Sequence, residues 1–391
     1  MSAIPAPKGY TANKVKLVKS GKDYFDTLLS IINRAQHVIH VQVYIYNADK
    51  TGNLIADALK AAAARKVKVY VLADGYGSNS LPASFSNNLK EAGINFRFFG
   101  PFFRNKHFYL GRRLHQKVVV ADSQYALVGG INISDRYNDM PGQPAWFDFA
   151  LYIEGPVAEE LCRLCHKTWQ GFATGLRIPP CMQYSEPGVQ KPLSDAFVRM
   201  RRNDWVNNKR QITATYFEML SKATSRITLL CSYFVPGNKF RRRLKKAVKK
   251  GVKITVILQR SSDSKLAKNA ERYWYDWLLR NNIEIYEYKE NVLHGKVAVC
   301  DSEWLTIGSY NVNNISAYAS IELNLDVRDQ HFATSVEHSF EEVIKNNCTR
   351  ITKDDFAYAT NNLKYLAMWL SYQIYRLLFY LFTFYFKQER N

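Results

Sequence analysis

Apolar positions in "YFDTLLSIINRAQHVIHVQVYIY", Tyr24 to Tyr46, first recur every three or four residues and then alternate with polar ones. That change of period predicts an amphipathic helix leading into a strand. The same change occurs in "YFEMLSKATSRITLLCSYFVP", where Ala223 matches Ala35 and Ile227 matches Ile39. A second helix and strand follow in each case, "GNLIADALKAAAARKVKVYVLADG" and "GNKFRRRLKKAVKKGVKITVILQRSSD". A third strand ends both series: "LHQKVVVADSQYALVGGIN" in the first and "LHGKVAVCDSEWLTIGSYN" in the second. Helices alternating with short apolar strands predict an α/β fold, and the repetition predicts two similar α/β units. The Pro-rich stretch from Ile178 to Asp195 reads as their seam. The expected organisation is a first unit over residues 1–190, a second over 191–350 and a separate tail over 351–391.

Successive strand side chains alternate faces, so His115 and Lys117 point one way, and His294 and Lys296 do the same. Each pair is followed at equal spacing by Asp (Asp122, Asp301) and by a Gly-(Gly/Ser)-x-Asn cluster ending at Asn132 or Asn311. One His-x-Lys would mean little; two copies with matching sequels are hard to obtain by chance. Pseudo-twofold packing of the units would bring both strands to one cleft holding two imidazoles, two ammonium groups and two carboxamides. That set suits a phosphate diester. Lys117, Lys296, Asn132 and Asn311 can bind non-bridging oxygens and stabilise charge building on phosphorus. One histidine can attack phosphorus while the other protonates the leaving alkoxide. Imidazole is the side chain whose ordinary pKa permits both roles near neutrality. Each ring then needs an orienting acceptor on its second nitrogen. Asp148 in "WFDFALYIEGP" follows His115, and Glu322 in "SIELNLDV" follows His294, in matching strand-like segments. Asp122 and Asp301, at the exit of the His-Lys strand, read as turn-fixing residues.

The doubled H-x-K-x4-D-x6-G-(G/S)-x-N pattern resembles the phospholipase D superfamily over roughly residues 15 to 350. "GGINISDRY", "IEGPV", "SYFVP" and "LLRNNIEIYEY" look like bacterial cardiolipin synthases of the shorter type, which lack an N-terminal membrane hairpin. Ser320 stands where that family usually has Asn, and "NNIS" replaces an Arg-Ser pair. The resemblance implies a single active site made between two halves, a phosphohistidine intermediate, and no metal or other cofactor. It places both motif aspartates with the catalytic set and favours His115 as nucleophile and His294 as acid. The implied reaction is phosphatidyl transfer, with phosphatidylglycerol as donor and acceptor. A hydrolytic phospholipase would use the same residues, as would a nuclease of the superfamily.

Charge narrows the partners. Lys plus Arg is 54 against 34 acidic residues, a net charge of +20 over 391 residues, which favours a polyanion. The basic run Lys239 to Lys253 fits nucleic-acid phosphates and anionic headgroups equally well; with the resemblance, an anionic membrane surface is expected and nucleic acid is not. No secretory h-region is evident in "MSAIPAPKGYTANKV". The six cysteines show no framework spacing, so a reducing compartment and the cytoplasmic face of the membrane are expected. Cys162-x-x-Cys165-His166 matches a haem attachment pattern, but its place in "VAEELCRLCHKTW" reads as a packing helix. In the tail, Tyr365 to Phe386 contains one charge, Arg376, and is long enough to span a bilayer. Its many Tyr residues and Trp369 instead favour a helix lying in the interface, with Arg376 and Lys387 reaching headgroups. Spanning, or packing back on the core, are the alternatives.

Overall fold

The computed structural model describes residues 7–101, 103–104, 107–108, 112–171, 181, 196–262, 264–313, 316 and 320–388. The chain divides into two compact units. Unit 1 comprises Met1–Arg201 with Ile307–Ser309 and Glu322–Asp329; unit 2 comprises Arg202–Thr306, Tyr310–Ile321 and Gln330–Asn391. Two short pieces of the second sequence repeat thus belong to unit 1. The seam stretch, apart from Cys181, lies outside the described residues.

Unit 1 runs β1 (Thr11–Lys19), α1 (Lys22–Arg34), β2 (Val38–Val43), α2 (Lys50–Ala64), β3 (Lys68–Asp74), α3 (Ala83–Glu91) and β4 (Asn95–Phe99). Short strands β5 (Phe103–Arg104), β6 (His107–Phe108) and β7 (Arg113–Leu114) precede β8 (Lys117–Ala121), β9 (Tyr125–Gly129), β10 (Phe149–Glu154) and α4 (Val157–Trp169). Strands β2, β3 and β4 pair in parallel; β8 joins β2 antiparallel, and β9, β10 and β1 continue antiparallel from it. The helix α1 buries Tyr24, Phe25, Leu28, Ile31 and Ile32, the stripe its period requires. In β2, VIHVQV, apolar residues alternate with His40 and Gln42, and both of these polar residues are buried as well.

The chain continues through β11 (Ala196–Asp204) into unit 2: β12 (Lys209–Arg210), α5 (Gln211–Lys222), β13 (Arg226–Cys231), α6 (Asn238–Lys249), β14 (Lys253–Gln259), α7 (Lys265–Arg272), α8 (Tyr275–Arg280) and β15 (Glu284–Tyr288). Then come β16 (Lys296–Cys300), β17 (Trp304–Gly308), β18 (Ser320–Arg328), α9 (Gln330–Asn347), β19 (Cys348–Ile351), α10 (Lys353–Ala359) and α11 (Asn362–Gln388). The parallel strands β13, β14 and β15, with β16 antiparallel to β13, repeat the order of unit 1. The match is detailed: Ile39 faces Ala121 across β2 and β8, and Ile227 faces Cys300 across β13 and β16. Each unit has its own apolar core.

Two features depart from the sequence-based expectations. Cys162 is joined to Cys181 in a disulfide, so the scattered cysteines are not all thiols. Cys165 remains a buried thiol on α4, and the packing-helix reading of that segment holds. The tail helix α11 does not stand apart. One face packs on α7 and α8, where Tyr372 stacks on Tyr273 with centroids 5.0 Å apart and meets Trp274 edge-on at 5.0 Å. Met368 and Tyr375 are buried there. The junction they cover is pinned from beneath by Lys268, which lies 2.8 Å from Glu271 and 3.0 Å from Glu287 in a buried cluster with the Tyr275 hydroxyl. The opposite face of α11 exposes Leu366, Leu370, Ile374 and Leu377. No helix among the described residues is long and apolar enough to cross a membrane.

Candidate active site

In unit 1, His115 stands between β7 and β8, at the entrance of the strand that carries Lys117. Its position is fixed one residue earlier: the Leu114 N–H donates to Asp74 Oδ2 at 2.7 Å, and Arg113 lies 3.6 Å from the same buried carboxylate. Burial pushes the Asp74 carboxyl up, against Arg113 and the backbone N–H groups that pull it down. The Tyr44 ring meets the imidazole edge-on at 5.0 Å. Lys117 donates to the His115 carbonyl at 2.6 Å and places its ammonium 5.3 Å from the Tyr44 ring centroid.

The acceptor for His115 is Glu322. Its fully buried carboxylate lies 2.9 Å from His115 Nδ1 and also accepts a hydrogen bond from the Ser309 hydroxyl. This corrects the expected pairing, in which Asp148 served His115 and Glu322 served His294. The reason is topological: Ser309 and the start of the Glu322–Asp329 segment belong to unit 1, so the acid of the second repeat reaches the histidine of the first. A carboxylate facing Nδ1 holds the proton there and puts the ring's lone pair on Nε2. Asp148 occupies the corresponding place before β10. It is buried, accepts from the Phe149 N–H at 2.7 Å, and lies so close over Gly130 that a Cβ there would collide with it. Gly130 is the motif position matched by Ser309 in the second repeat.

In unit 2, His294 is 7% exposed and Lys296 fully buried. The Lys296 ammonium lies 3.0 Å from His294 Nδ1 and donates to the His294 carbonyl, repeating the Lys117 contact. An ammonium only donates, so this contact requires Nδ1 to accept and puts the ring proton on Nε2. The two histidines are therefore poised oppositely, one with a lone pair on Nε2 and one with a proton.

The remaining motif residues are mainly architectural. Asn132 Oδ1 accepts from the Ile45 N–H at 3.0 Å and its Nδ2 donates to the Tyr137 hydroxyl at 2.8 Å, which leaves one N–H for a phosphate oxygen. Asn311 Oδ1 accepts from the Ser232 hydroxyl at 2.7 Å. Asp122 takes the N–H groups of Gln36, His37 and Val38 at 2.7, 2.9 and 2.8 Å; Asp301 takes those of Thr224, Ser225 and Arg226 at 2.8, 2.9 and 2.8 Å. Both aspartates have left-handed φ, 54° and 53°. Burial works to raise the Asp301 carboxyl, but these backbone bonds outweigh it and hold the group below the usual range. They stand at the far end of their strands, roughly 16 Å from the lysines at strand rise. The catalytic grouping of these two residues is corrected accordingly: they tie the helix-to-strand turn to the end of the motif strand, as their sequence position suggested.

Sequence reasoning missed Tyr44 and Asp74. The available signal was their place beyond or at the carboxyl ends of parallel strands β2 and β3, where open α/β sheets gather ligands. Among the described residues no group of three or more His, Cys, Asp or Glu side chains stands close enough together to hold a metal ion.

A family model described as cardiolipin synthase, PLD-like domain, matches residues 28–142 and 216–344. Cardiolipin synthase B of Escherichia coli strain K12 is 32% identical over 343 residues, covering 87% of this chain and 82% of that protein. Cardiolipin synthase A of Pseudomonas putida is 30% identical over 364 residues, 91% of this chain and 73% of that one. The crystal structure of phosphatidylserine synthase from Haemophilus influenzae superposes with a TM-score of 0.74 over 96% of both chains, at 13% identity, a likeness of fold.

Proposed function

The chain belongs to the phospholipase D-like family of cardiolipin synthases, and from that premise we propose that it is a phosphatidyltransferase condensing two molecules of phosphatidylglycerol through a phosphohistidine. The observation that carries the mechanism is the Glu322 carboxylate 2.9 Å from His115 Nδ1, which turns an Nε2 lone pair outward as nucleophile. His115 Nε2 attacks phosphorus; the P–O bond to the headgroup glycerol breaks, that alkoxide takes the Nε2 proton of His294, and the Lys296 ammonium passes a proton to His294 Nδ1 so that the ring stays neutral. Glycerol departs. Glu322 offsets the positive charge of the phosphorylated ring. A hydroxyl of a second phosphatidylglycerol then gives its proton to His294 Nε2, whose Nδ1 returns its proton to Lys296, and attacks phosphorus; the P–N bond breaks, and cardiolipin leaves. Lys117, Lys296 and the free N–H of Asn132 would stabilise charge on the non-bridging oxygens. This scheme needs both histidines at one phosphorus. Rapid acid-free quenching followed by peptide mapping should find the phosphatidyl group on the peptide containing His115; a label on His294 would reverse the two roles.

The substrate stays in a bilayer, so the enzyme must meet one. The apolar face of α11 and the basic surface of α6 support peripheral docking on the cytoplasmic leaflet, with anionic headgroups as partners. Lys387 lies among side chains outside those described. Substituting Leu370, Ile374 and Leu377 together with Ser, on the exposed face only, should release the protein from anionic vesicles in flotation while its melting temperature is kept. Unchanged flotation would remove α11 as the docking element.

A further inference from the structure

Beside the second motif lies a groove of about 1060 Å³ built wholly within unit 2. Its floor includes Tyr310 and Val312, the neighbours of motif residue Asn311, and one wall is α11, through Tyr372, Arg376 and Tyr380. Arg210, Lys239, Arg241 and Arg376 line it, and no carboxylate does among the described residues. The uncapped first turn of α6, at Gly237 and Asn238, adds backbone N–H groups at the positive end of a helix.

Two donors in this lining have no acceptor. Trp274 is 8% exposed, and its indole N–H is buried without a hydrogen-bond partner; Arg241 Nε is buried in the same condition. The Arg241 guanidinium lies 3.6 Å from the Trp274 ring centroid, which holds it against the groove wall. Burial lowers the hold of Arg241 on its proton, and nearby Arg376 adds to that lowering. The buried, idle N–H groups of Trp274 and Arg241 cost free energy unless an acceptor completes them, and beside two guanidiniums that acceptor is best an anion. The aromatic remainder of the lining is unsuited to a bare inorganic ion. At Leu377 and Tyr380 the groove opens onto the exposed apolar face of α11.

We infer that this groove binds an anionic phospholipid, its phosphodiester between Arg241 and Arg376 and its acyl chains along the aromatic wall that leads to the exposed face of α11. The tail helix is then part of a lipid-binding site as well as a surface element. The inference rests on the phosphatidyltransferase reading only in taking the bound lipid for a substrate.

The test uses full-length protein and calorimetric titration with monomeric dihexanoyl-phosphatidylglycerol, inorganic phosphate and a single-stranded oligonucleotide. Arg376→Gln, at an exposed position, should weaken lipid binding about tenfold, as loss of one charge-assisted contact does. Arg241→Gln with Arg376→Gln should weaken it further, and Arg376→Lys should retain most of it. Cardiolipin formation measured in parallel should show a raised KM with kcat little changed. Lipid affinity unchanged in Arg376→Gln and in a folded double variant would overturn the inference, as would phosphate or the oligonucleotide binding as tightly as the lipid. If wild type binds lipid through these arginines yet forms no cardiolipin, the groove stands and the transferase reading falls. If cardiolipin forms with equal KM in every variant, the groove falls and the transferase reading stands.

Discussion

Replacing His115 or His294 with Ala is expected to lower phosphatidyl transfer about 10⁴-fold in each case, the cost of losing one member of a nucleophile–acid–orienter set. The expectation follows from the division of labour. His115 faces a buried carboxylate through Nδ1 and can offer only Nε2 to phosphorus. His294 faces an ammonium through Nδ1 and carries its proton on Nε2. Neither ring can do the work of the other in place, because one is locked by a carboxylate and the other by an ammonium. The double variant should therefore be little worse than either single one, since groups acting as a unit are far from additive. Initial rates on micellar phosphatidylglycerol would check this, and a single variant keeping a tenth of wild-type activity would mean that the two histidines do not act on one phosphorus.

Glu322→Gln should lower turnover about 10³- to 10⁴-fold with KM little changed, as replacing the buried acid of a histidine pair by its amide does. Shape is kept, but the charge that fixes the His115 tautomer and balances the phosphorylated ring is lost. Ser309, which donates to the same carboxylate, offers a milder control: Ser309→Ala leaves the charge in place and should cost far less. In single-turnover experiments Glu322→Gln should slow formation of the covalent intermediate. Normal intermediate formation in that variant would show that Glu322 serves architecture alone.

Much of this was legible in the residues. The 3.6-to-2 change of period located both helix-to-strand junctions, and the match of Ala35 with Ala223 survives as the two helix C-caps. The turn-fixing role of Asp122 and Asp301 was visible from their position at a strand exit. The partner of Glu322 was not, because repeat symmetry pairs each acid with the histidine upstream of it, whereas the segment from Glu322 to Asp329 is built into the other unit. Asn132 also looked freer than it is, since nothing local announces that Ile45 and Tyr137 will claim its side chain. The tail illustrates a different limit. Its aromatics read as interfacial by composition, but Tyr372 and Tyr375 find their places against Tyr273 and Trp274, roughly a hundred residues away, a distance over which periodicity is silent. The bond between Cys162 and Cys181 likewise depends on the fold and not on spacing.

One measurement bears most directly on the assignment of phosphatidyl transfer: incubation of the full-length protein with phosphatidylglycerol labelled separately in the acyl chains and in the headgroup glycerol, followed by resolution of all products. The expected result is acyl label in cardiolipin, one glycerol released for each cardiolipin formed, and loss of cardiolipin when excess glycerol is added. Phosphatidic acid as the sole labelled lipid product, or cleavage of added DNA with every lipid intact, would contradict it.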